Sequence, residues 1–238
     1  MNRMLVIGMG EIGKALHSVL SKRYETSCFD ELTMQLDSKE PLDCIHICFG
    51  HKPNEEKWFK SQVKAYQKRF LKEGGLTIIH SSVAVGISRE LDAVNSPVRG
   101  MHPDLEGGIR TFTKFFGGER ASEAAEIFRR AGVKTYIFDH QETTELGKLS
   151  ETTFYALMIE YIKDLKRDCD RRGLSFTEVY TQQAREYNAG WEKMGFPEYC
   201  MPLLVPIMQP QGGHCTIPNA KLWESPFTKF ILEQNEDI

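Results

Sequence analysis

Three glycines near the start of the chain have the spacing of a phosphate-binding turn. Gly8 and Gly10 follow a short apolar run at residues 4–7, and Gly13 lies in the first turn of a helical pattern that begins at Ile12. In such a turn the first glycine permits a tight bend, the second lets the backbone approach a pyrophosphate, and the third lets helix and strand pack closely. The N–H groups at the helix start then face the phosphates. The pattern predicts a dinucleotide-binding turn.

An acidic residue follows at the spacing expected for a ribose contact. A second strand pattern at residues 25–29 ends in Asp30, twenty-two residues after Gly8. A carboxylate there accepts the ribose hydroxyls and repels a 2′-phosphate, so the sequence favours NAD over NADP. We expect the cofactor to lie over Glu11 and Ile12 as well as the glycines. Sites for S-adenosylmethionine also use a glycine-rich turn and an acid, so this cofactor is the alternative.

Size and composition are those of a globular protein with an ample core. The chain has 238 residues, of which 41% are hydrophobic and 26% charged, and its formal net charge is −3. This near-neutral balance argues against nucleic acid as a partner. Because no run is long enough to span a membrane and the N-terminus enters a strand at once, we expect no membrane contact, no signal peptide and a cytoplasmic location.

The cysteines show no metal-binding or disulfide spacing. None of the six forms a CxxC pair, and we expect reduced thiols. Cys44, His46 and Cys48 alternate along one strand pattern, which raises the question of a metal. Three side chains at i, i+2 spacing rarely close a tetrahedral site, so we interpret them as core residues and predict no metal.

Strand and helix patterns alternate through the first half of the chain, which indicates a parallel sheet covered by helices. We therefore predict an α/β fold, a Rossmann-like doubly wound sheet in residues 1–139, followed by a smaller helical domain in 140–238. Gly50 and Ser81 follow two of the strands, at the edge where such sheets bind ligands. Strands are predicted at 4–8, 25–30, 43–49, 76–80, 97–101 and 134–138, and helices at 12–22, 54–72, 85–94 and 121–131, with Asn54 as an N-cap.

A long helical pattern opens the second domain. Apolar residues recur every three or four positions from about Thr143 to Arg172, and Gly173 is a natural stop. Roughly thirty residues would span about 45 Å, which is long for one lobe. Such a helix usually bridges lobes or packs against a second subunit.

Several motifs occur in an order that resembles one enzyme family. They are GMGEIG at 8–13, HSSVAVGISRE at 80–90, FFGGE at 115–119, TTELGKLSETTF at 143–154 and GGHC at 212–215. The chain resembles the nucleotide-sugar 6-dehydrogenases, which act on UDP-glucose or UDP-N-acetylmannosamine, within the wider 6-phosphogluconate dehydrogenase-like superfamily. The helix motif and GGHC are the more specific of these matches.

This resemblance implies catalytic roles for particular residues. Cys215 matches the nucleophile that captures an aldehyde in the family, which needs a thiolate close to the nicotinamide. Lys148 matches the helix lysine that assists proton transfer and stabilises an oxyanion. Asp104 stands where the family carries a glutamate after a proline. His102 lies just past a predicted strand end, where histidine suits acid–base work; the alternative is a loop residue without catalytic function.

The chain also departs from the family pattern. Thr152 stands at the position of the family's helix asparagine, and Asn219 at that of an acid four residues after the cysteine. The third, UDP-binding domain is absent from the sequence, so we expect a truncated relative. Loss of that domain argues against a UDP-sugar substrate, and loss of the acid argues against oxidation through to a carboxylate.

We therefore predict an NAD-dependent oxidoreductase that acts on a hydroxyl or aldehyde of a small polar metabolite. One alternative is an S-adenosylmethionine-dependent methyltransferase on the same scaffold, and another is a non-catalytic dinucleotide-binding protein. Aromatic residues concentrate after residue 150, and the resembled family uses its long helix as a dimer core. We expect a homodimer formed through residues 143–200.

Overall fold

The computed structural model describes residues 3–30, 41–100, 103–213 and 215–236, and these form two compact units. The first unit is Met1–Ser150 and the second is Glu151–Ile238. The boundary falls inside one long helix, whereas the predicted domain boundary lies just before that helix, at residue 139.

The first unit alternates strands and helices. Its elements are β1 (Arg3–Ile7), α1 (Glu11–Leu20), β2 (Glu25–Phe29), β3 (Leu42–Ile47), α2 (Glu56–Phe70), β4 (Leu71–Ile79), α3 (Ile87–Glu90), β5 (Val94–Asn95), α4 (Leu105–Thr111), β6 (Lys114–Gly117), α5 (Ala121–Arg130), β7 (Thr135–Phe138) and the first part of α6 (Gln141–Arg172).

Within the described residues the strands form one seven-stranded sheet in the order β2-β1-β3-β4-β5-β6-β7. All pairs are parallel except β5 with β6. Apolar clusters pack on both faces. One contains residues of α1 and α5, such as Leu16 and Phe128, and the other contains residues of α2, such as Phe59 and Val63. The predicted doubly wound α/β fold is confirmed, and its buried strands read as apolar runs because both faces are covered.

Three local predictions in this unit are wrong. The strand expected at 97–101 is the two-residue β5, and the helix expected at 85–94 is the four-residue α3. Asn54 does not cap α2, which begins at Glu56. Asn54 instead has a φ of +69°, in a turn directly after Pro53. Asparagine tolerates this left-handed conformation better than most residues, and the turn takes the place of the cap.

The second unit is helical. It comprises the remainder of α6, a π-helical turn at Thr177–Gln182, α7 (Gln183–Met194), a 3₁₀ turn at Pro197–Tyr199, α8 (Thr216–Ala220) and α9 (Pro226–Glu236). The long helix predicted at 143–172 is confirmed with a start two residues earlier. A small apolar core joins α6, α8 and α9 through Ala156, Ala220 and Ile231. Among the described residues, no helix has both the length and the apolar composition that crossing a membrane requires.

Candidate functional site

The sheet order reverses between β1 and β3, because β2 lies on one side of β1 and β3 and β4 lie on the other. Ligands of doubly wound sheets bind at such a switch point, outside the carboxyl ends of the strands. Gly8, Asp30, Gly50 and Ser81 lie within three residues of the carboxyl ends of β1, β2, β3 and β4, respectively. The parallel strands therefore bring the predicted cofactor residues of four separate sequence segments to one edge.

The three glycines of the turn have the geometry that their spacing predicts. Gly8 has a φ of +90°, and a Cβ there would lie 3.1 Å from the backbone nitrogen of Phe49. A Cβ on Gly13 would lie 1.9 Å from the carbonyl oxygen of Gly8, so only glycine allows α1 to pack this closely on the turn. A Cβ on Gly10 would meet no atom within 4 Å. Gly10 therefore borders open space, which fits a backbone that a pyrophosphate approaches.

Asp30 links the ends of the first two strands. Its Oδ2 accepts a hydrogen bond from the backbone N–H of Met9 at 2.8 Å, while the N–H of Gly8 donates to the carbonyl of Phe29 at 2.9 Å. The carboxylate is thus held beside the glycine turn, as a ribose contact requires. Glu11, which is exposed, begins α1 directly beyond this turn.

Gly50 and Ser81 lie against each other at the same edge. A Cβ on Gly50 would be 3.8 Å from the Cβ of Ser81. Ser81 is 4% exposed, and its hydroxyl has no hydrogen-bond partner among the described residues. A buried hydroxyl without a partner is costly, so this atom fits a group that hydrogen-bonds to a ligand or a bound water.

Glu145 links the start of α6 to the start of α3. Its Oε2 accepts from the backbone N–H of Gly86 at 2.6 Å and its Oε1 from that of Ser88 at 2.9 Å. The side chain is 2% exposed, and burial raises the pKa of this carboxyl although the two N–H bonds act in the opposite direction. Sequence reasoning did not assign a role to Glu145, although it lies in the TTELGK motif that supported the resemblance.

A second set of bonds holds the same turn of α6. Thr144 donates to Asn95 Oδ1 at 2.8 Å, and Gln141 Nε2 donates to the carbonyl of Ala93 at 3.3 Å. A Cβ on Gly117 would lie 2.5 Å from the carbonyl of His140, so β6 and α6 approach closely. Lys148, which is half-buried, lies one helical turn beyond Thr144. The first turns of α6 are thus a fixed base for this lysine.

In the second unit, Thr152 and Asn219 contact each other. These are the two positions at which the chain departs from the family pattern. Asn219 Nδ2 donates to Thr152 Oγ1 at 3.2 Å, and the backbone N–H of Asn219 donates to the carbonyl of Cys215 at 3.0 Å. Cys215 is half-buried at the start of α8. The two neutral side chains therefore form a matched pair that ties the cysteine segment to α6.

The catalytic roles predicted for the remaining site residues are not tested by the structure. Asp104 is exposed and is the N-cap of α4, where its Oδ1 accepts from the N–H of Gly107 at 2.8 Å. This bond gives it a structural role, and its catalytic role stays a prediction. His102 lies outside the described residues. The catalytic assignments of Lys148, Thr152 and Cys215 stay predictions as well.

A buried polar chain crosses the sheet below this edge, and sequence reasoning did not predict it. Lys114 Nζ donates to the carbonyl of Ser96 at 2.8 Å, and His80 Nδ1 lies 3.0 Å from the same oxygen. His46 Nδ1 lies 3.0 Å from His80 Nε2. Because a carbonyl can only accept, His80 must carry its proton on Nδ1, and His46 must then donate from Nδ1. One oxygen therefore sets both tautomers.

Burial controls the protonation of the side chains in this buried polar chain. Desolvation, aided by the neighbouring Lys114 ammonium, lowers the pKa of His46 to about 3 and that of His80 well below its usual value. Desolvation also lowers the pKa of Lys114 to about 7. Cys44 and Cys48 are buried in the same apolar cluster, and desolvation raises the pKa of both thiols. Within the described residues, no three His, Cys, Asp or Glu side chains are grouped to hold a metal.

No protein-family model and no curated protein matches the sequence. Solved structures do match the fold. The UDP-D-ManNAc dehydrogenase of Pyrococcus horikoshii is 18% identical with a TM-score of 0.78, covering 98% of this chain and 68% of its own. The 3-hydroxyisobutyrate dehydrogenase of Mycobacterium tuberculosis, solved with L-serine, is 13% identical with a TM-score of 0.69, covering 100% and 93%.

A third similar structure is the UDP-N-acetyl-mannosamine dehydrogenase of Staphylococcus aureus. It is 15% identical with a TM-score of 0.74, and the match covers 99% of this chain and 68% of that one. At such identities the likeness is one of fold. The resemblance first drawn from short motifs is confirmed at that level, because UDP-sugar dehydrogenases are structural neighbours over almost the whole chain.

The turn glycines make a matched pair of substitutions. Gly13→Ala should destabilise the protein by about 1–3 kcal/mol, because the added methyl overlaps the Gly8 carbonyl. Gly10→Ala should leave the free energy of unfolding within about 0.5 kcal/mol of wild type and, on the sequence prediction of a pyrophosphate contact, weaken NAD binding about tenfold or more. Denaturant unfolding and calorimetry measure the two quantities. Gly190→Ala, on an open face of α7, is the control. Unchanged NAD affinity in Gly10→Ala would contradict a pyrophosphate contact at this turn.

The buried histidines should make stability fall in mild acid. A histidine in the unfolded chain has a pKa near 6.5, whereas burial lowers the pKa of His46 in the folded protein to about 3. The free energy of unfolding therefore falls by about 2 kcal/mol between pH 6.5 and 5 because of His46, at 1.36 kcal/mol per pH unit. His80, whose pKa is also lowered, acts in the same direction. Urea unfolding of wild type and His46→Gln between pH 7.5 and 5 should give a shallower pH dependence for the variant. Equal slopes would contradict this account.

Proposed function

We propose that this protein is an NAD-dependent oxidoreductase that acts on a hydroxyl or aldehyde group of a small polar metabolite. The observation that carries the proposal is the glycine turn, in which Gly13 packs on the Gly8 carbonyl while Gly10 borders open space. Its neighbours in fold, which are named as dehydrogenases, support the same reaction class.

The residues at the strand ends fit a nicotinamide dinucleotide. The backbone of Gly10 and the first N–H groups of α1 would face the pyrophosphate. The Asp30 carboxylate, already beside the turn, would accept the ribose hydroxyls and disfavour a 2′-phosphate, which favours NAD over NADP. The hydroxyl of Ser81, which has no hydrogen-bond partner in the part of the chain that the structure describes, and the exposed backbone at Gly50 offer a contact further along the same edge.

In the proposed reaction an alcohol loses a hydride and a proton and becomes a carbonyl. The cofactor supplies the hydride acceptor. Lys148 would take the hydroxyl proton or stabilise the negative oxygen, which a lysine on a fixed helical base can do without reorganisation. Cys215 would add reversibly to the carbonyl carbon of the aldehyde, its thiol proton passing to the carbonyl oxygen, and reversal of this addition would break the C–S bond and release the aldehyde. Thr152 and Asn219, both neutral, would orient the substrate or the cysteine segment.

The substrate assignment follows from the same residues. Because Asn219 is an amide, it cannot act as the base that would activate water on a cysteine-bound acyl group. We therefore infer a single two-electron conversion between alcohol and aldehyde, with NAD reduced to NADH. Asp104 and His102 are proposed to face the substrate.

Comparing cofactors by thermal shift tests this function. A ligand at a hundredfold excess over its Kd stabilises a protein by about 2.7 kcal/mol, so NAD should raise the melting temperature by several degrees. NADP should have less effect, and S-adenosylmethionine none. Asp30→Ala should narrow the difference between NAD and NADP, since the repelling carboxylate is gone. Stabilisation by S-adenosylmethionine alone would support the methyltransferase instead. NAD binding without NADH formation on a panel of small alcohols and hydroxy acids would support a non-catalytic binding protein.

We also propose a homodimer through the second unit. Many large apolar side chains within residues 151–238 are exposed, and exposed apolar surface on this scale is typical of an interface between subunits. The most exposed on α6 and α7 are Phe154, Tyr155, Tyr161, Tyr187 and Met194.

Light scattering at micromolar concentration should give twice the chain mass of 27.3 kDa. Phe154→Glu with Tyr161→Glu should return the monomer, because two charges would be buried in the interface. Phe112→Glu, at a similarly exposed aromatic residue of the first unit, is the control and should remain dimeric. A wild-type monomer would contradict the assembly.

A further inference from the structure

Three buried polar side chains meet inside the second unit, where the segment that carries Cys215 begins. Glu160 and Lys163 lie one turn apart on α6 and are 3% and 1% exposed, and Gln211 is 9% exposed. Lys163 Nζ donates to Glu160 Oε1 at 2.9 Å, and Gln211 Nε2 donates to the same oxygen at 2.6 Å. We call Glu160, Lys163 and Gln211 the anchor cluster.

The amide of Gln211 has one permitted orientation. Besides Glu160, its Nε2 donates to the carbonyl of Ala156 at 3.1 Å. Rotating the amide by half a turn would point its oxygen at two acceptors, which is repulsive. The backbone N–H of Gln211 donates to Asn235 Oδ1 at 2.6 Å. Gln211 is therefore fixed to α6 by its side chain and to α9 by its main chain.

Two glycines follow this anchor in the sequence, ahead of α8. Gly212 and Gly213 follow directly, and a Cβ on either would meet no atom within 4 Å. Two successive glycines have high conformational freedom, so their position depends on what fixes their ends. The far end is fixed by Asn219, which bonds Thr152. Cys215 lies in the sequence between Gln211 and Asn219. These two residues bond α6 at Ala156 and Thr152, so the Cys215 segment and α6 run in opposite directions.

The anchor cluster is costly if it serves stability alone. A buried ion pair gains little over apolar side chains of similar size, because both charges lose their hydration. Glu160 Oε2 and Gln211 Oε1 also have no hydrogen-bond partner among the described residues. An apolar trio would avoid both penalties, but it would not set the orientation of residue 211.

We propose that the anchor cluster fixes where Cys215 lies, and that Gln211 is a positioning residue for the chemistry of that thiol. This inference rests on the proposed function only in the role given to Cys215. Its physical content is that loss of the Gln211 amide releases the glycine pair without loosening the helices around it.

Alkylation of the full-length protein by iodoacetamide, resolved peptide by peptide, tests the proposal. Gln211→Met keeps the length of the side chain and removes its donor. Cys215 should then react about fivefold faster or more, as a released segment opens more often. Cys169, 2% exposed on α6, and the exposed Cys28 should keep their wild-type rates. Gln183→Met, at an exposed glutamine of α7, is the matched control and should change no rate.

A conservative variant separates positioning from general loosening. Glu160→Gln keeps a side-chain oxygen that can accept from Gln211 Nε2, so the Cys215 rate should stay within about threefold of wild type. If Gln211→Met does not fold, Gln211→Asn, which is one methylene shorter, should show the same selective increase. An unchanged Cys215 rate in Gln211→Met, a parallel rise at Cys169, or an equal rise in Glu160→Gln would overturn the proposal.

A cofactor titration keeps the two ideas distinguishable. If wild-type protein fails to bind NAD, the proposed function fails, whatever the alkylation rates are. If wild type binds NAD and Gln211→Met leaves Cys215 unchanged, the positioning role alone fails. Gln211→Met and Glu160→Gln should both bind NAD as wild type does, because the glycine turn that carries the cofactor proposal belongs to the first unit.

Discussion

The close packing of α1 on the end of β1 is the constraint on which the rest of the first unit depends. A hydrogen at Gly13 fits over the carbonyl of Gly8, and a methyl group would not. This contact sets the angle at which the helix leaves the strand, and so directs its first N–H groups over the switch point. The ends of β2 and β3 are then tied to the same place, by Asp30 on the Met9 N–H and by the Cys48 N–H on the Ile7 carbonyl.

A second constraint fixes the long helix to the sheet. Glu145 is a buried carboxylate whose oxygens both accept backbone N–H groups of residues 86–88. Side chains one turn apart share a face of a helix, so fixing Glu145 and Thr144 also fixes the direction in which Lys148 leaves α6. In the second unit, polar contacts have a similar role, because Gln211 and Asn219, on either side of Cys215, each donate a hydrogen bond to α6.

The buried polar chain from Lys114 to His46 shows how the interior accepts ionisable groups. Each ring nitrogen and the ammonium find a partner, and desolvation keeps both imidazoles neutral. His46 lies in β3, His80 directly follows the adjacent β4, and Lys114 lies in β6 further across the sheet. No local pattern in the sequence marks such a set, because its members are separated by more than thirty residues on either side of His80.

The sequence by itself determined the features that depend on local spacing. Backbone sterics explain the glycine turn and the acid after β2. Burial explains the apolar runs of a sheet covered on both faces, and the three-to-four-residue apolar period that extends over about thirty residues of α6. The sequence did not determine short elements such as α3 and β5, because two to four residues carry too little periodicity and tertiary packing decides their conformation. Only the tertiary structure paired Thr152 with Asn219, gave Glu145 its two amides and joined Gln211 to Glu160. Hydrogen bonds between distant segments leave no trace in the order of residues, and they form only after the chain has folded.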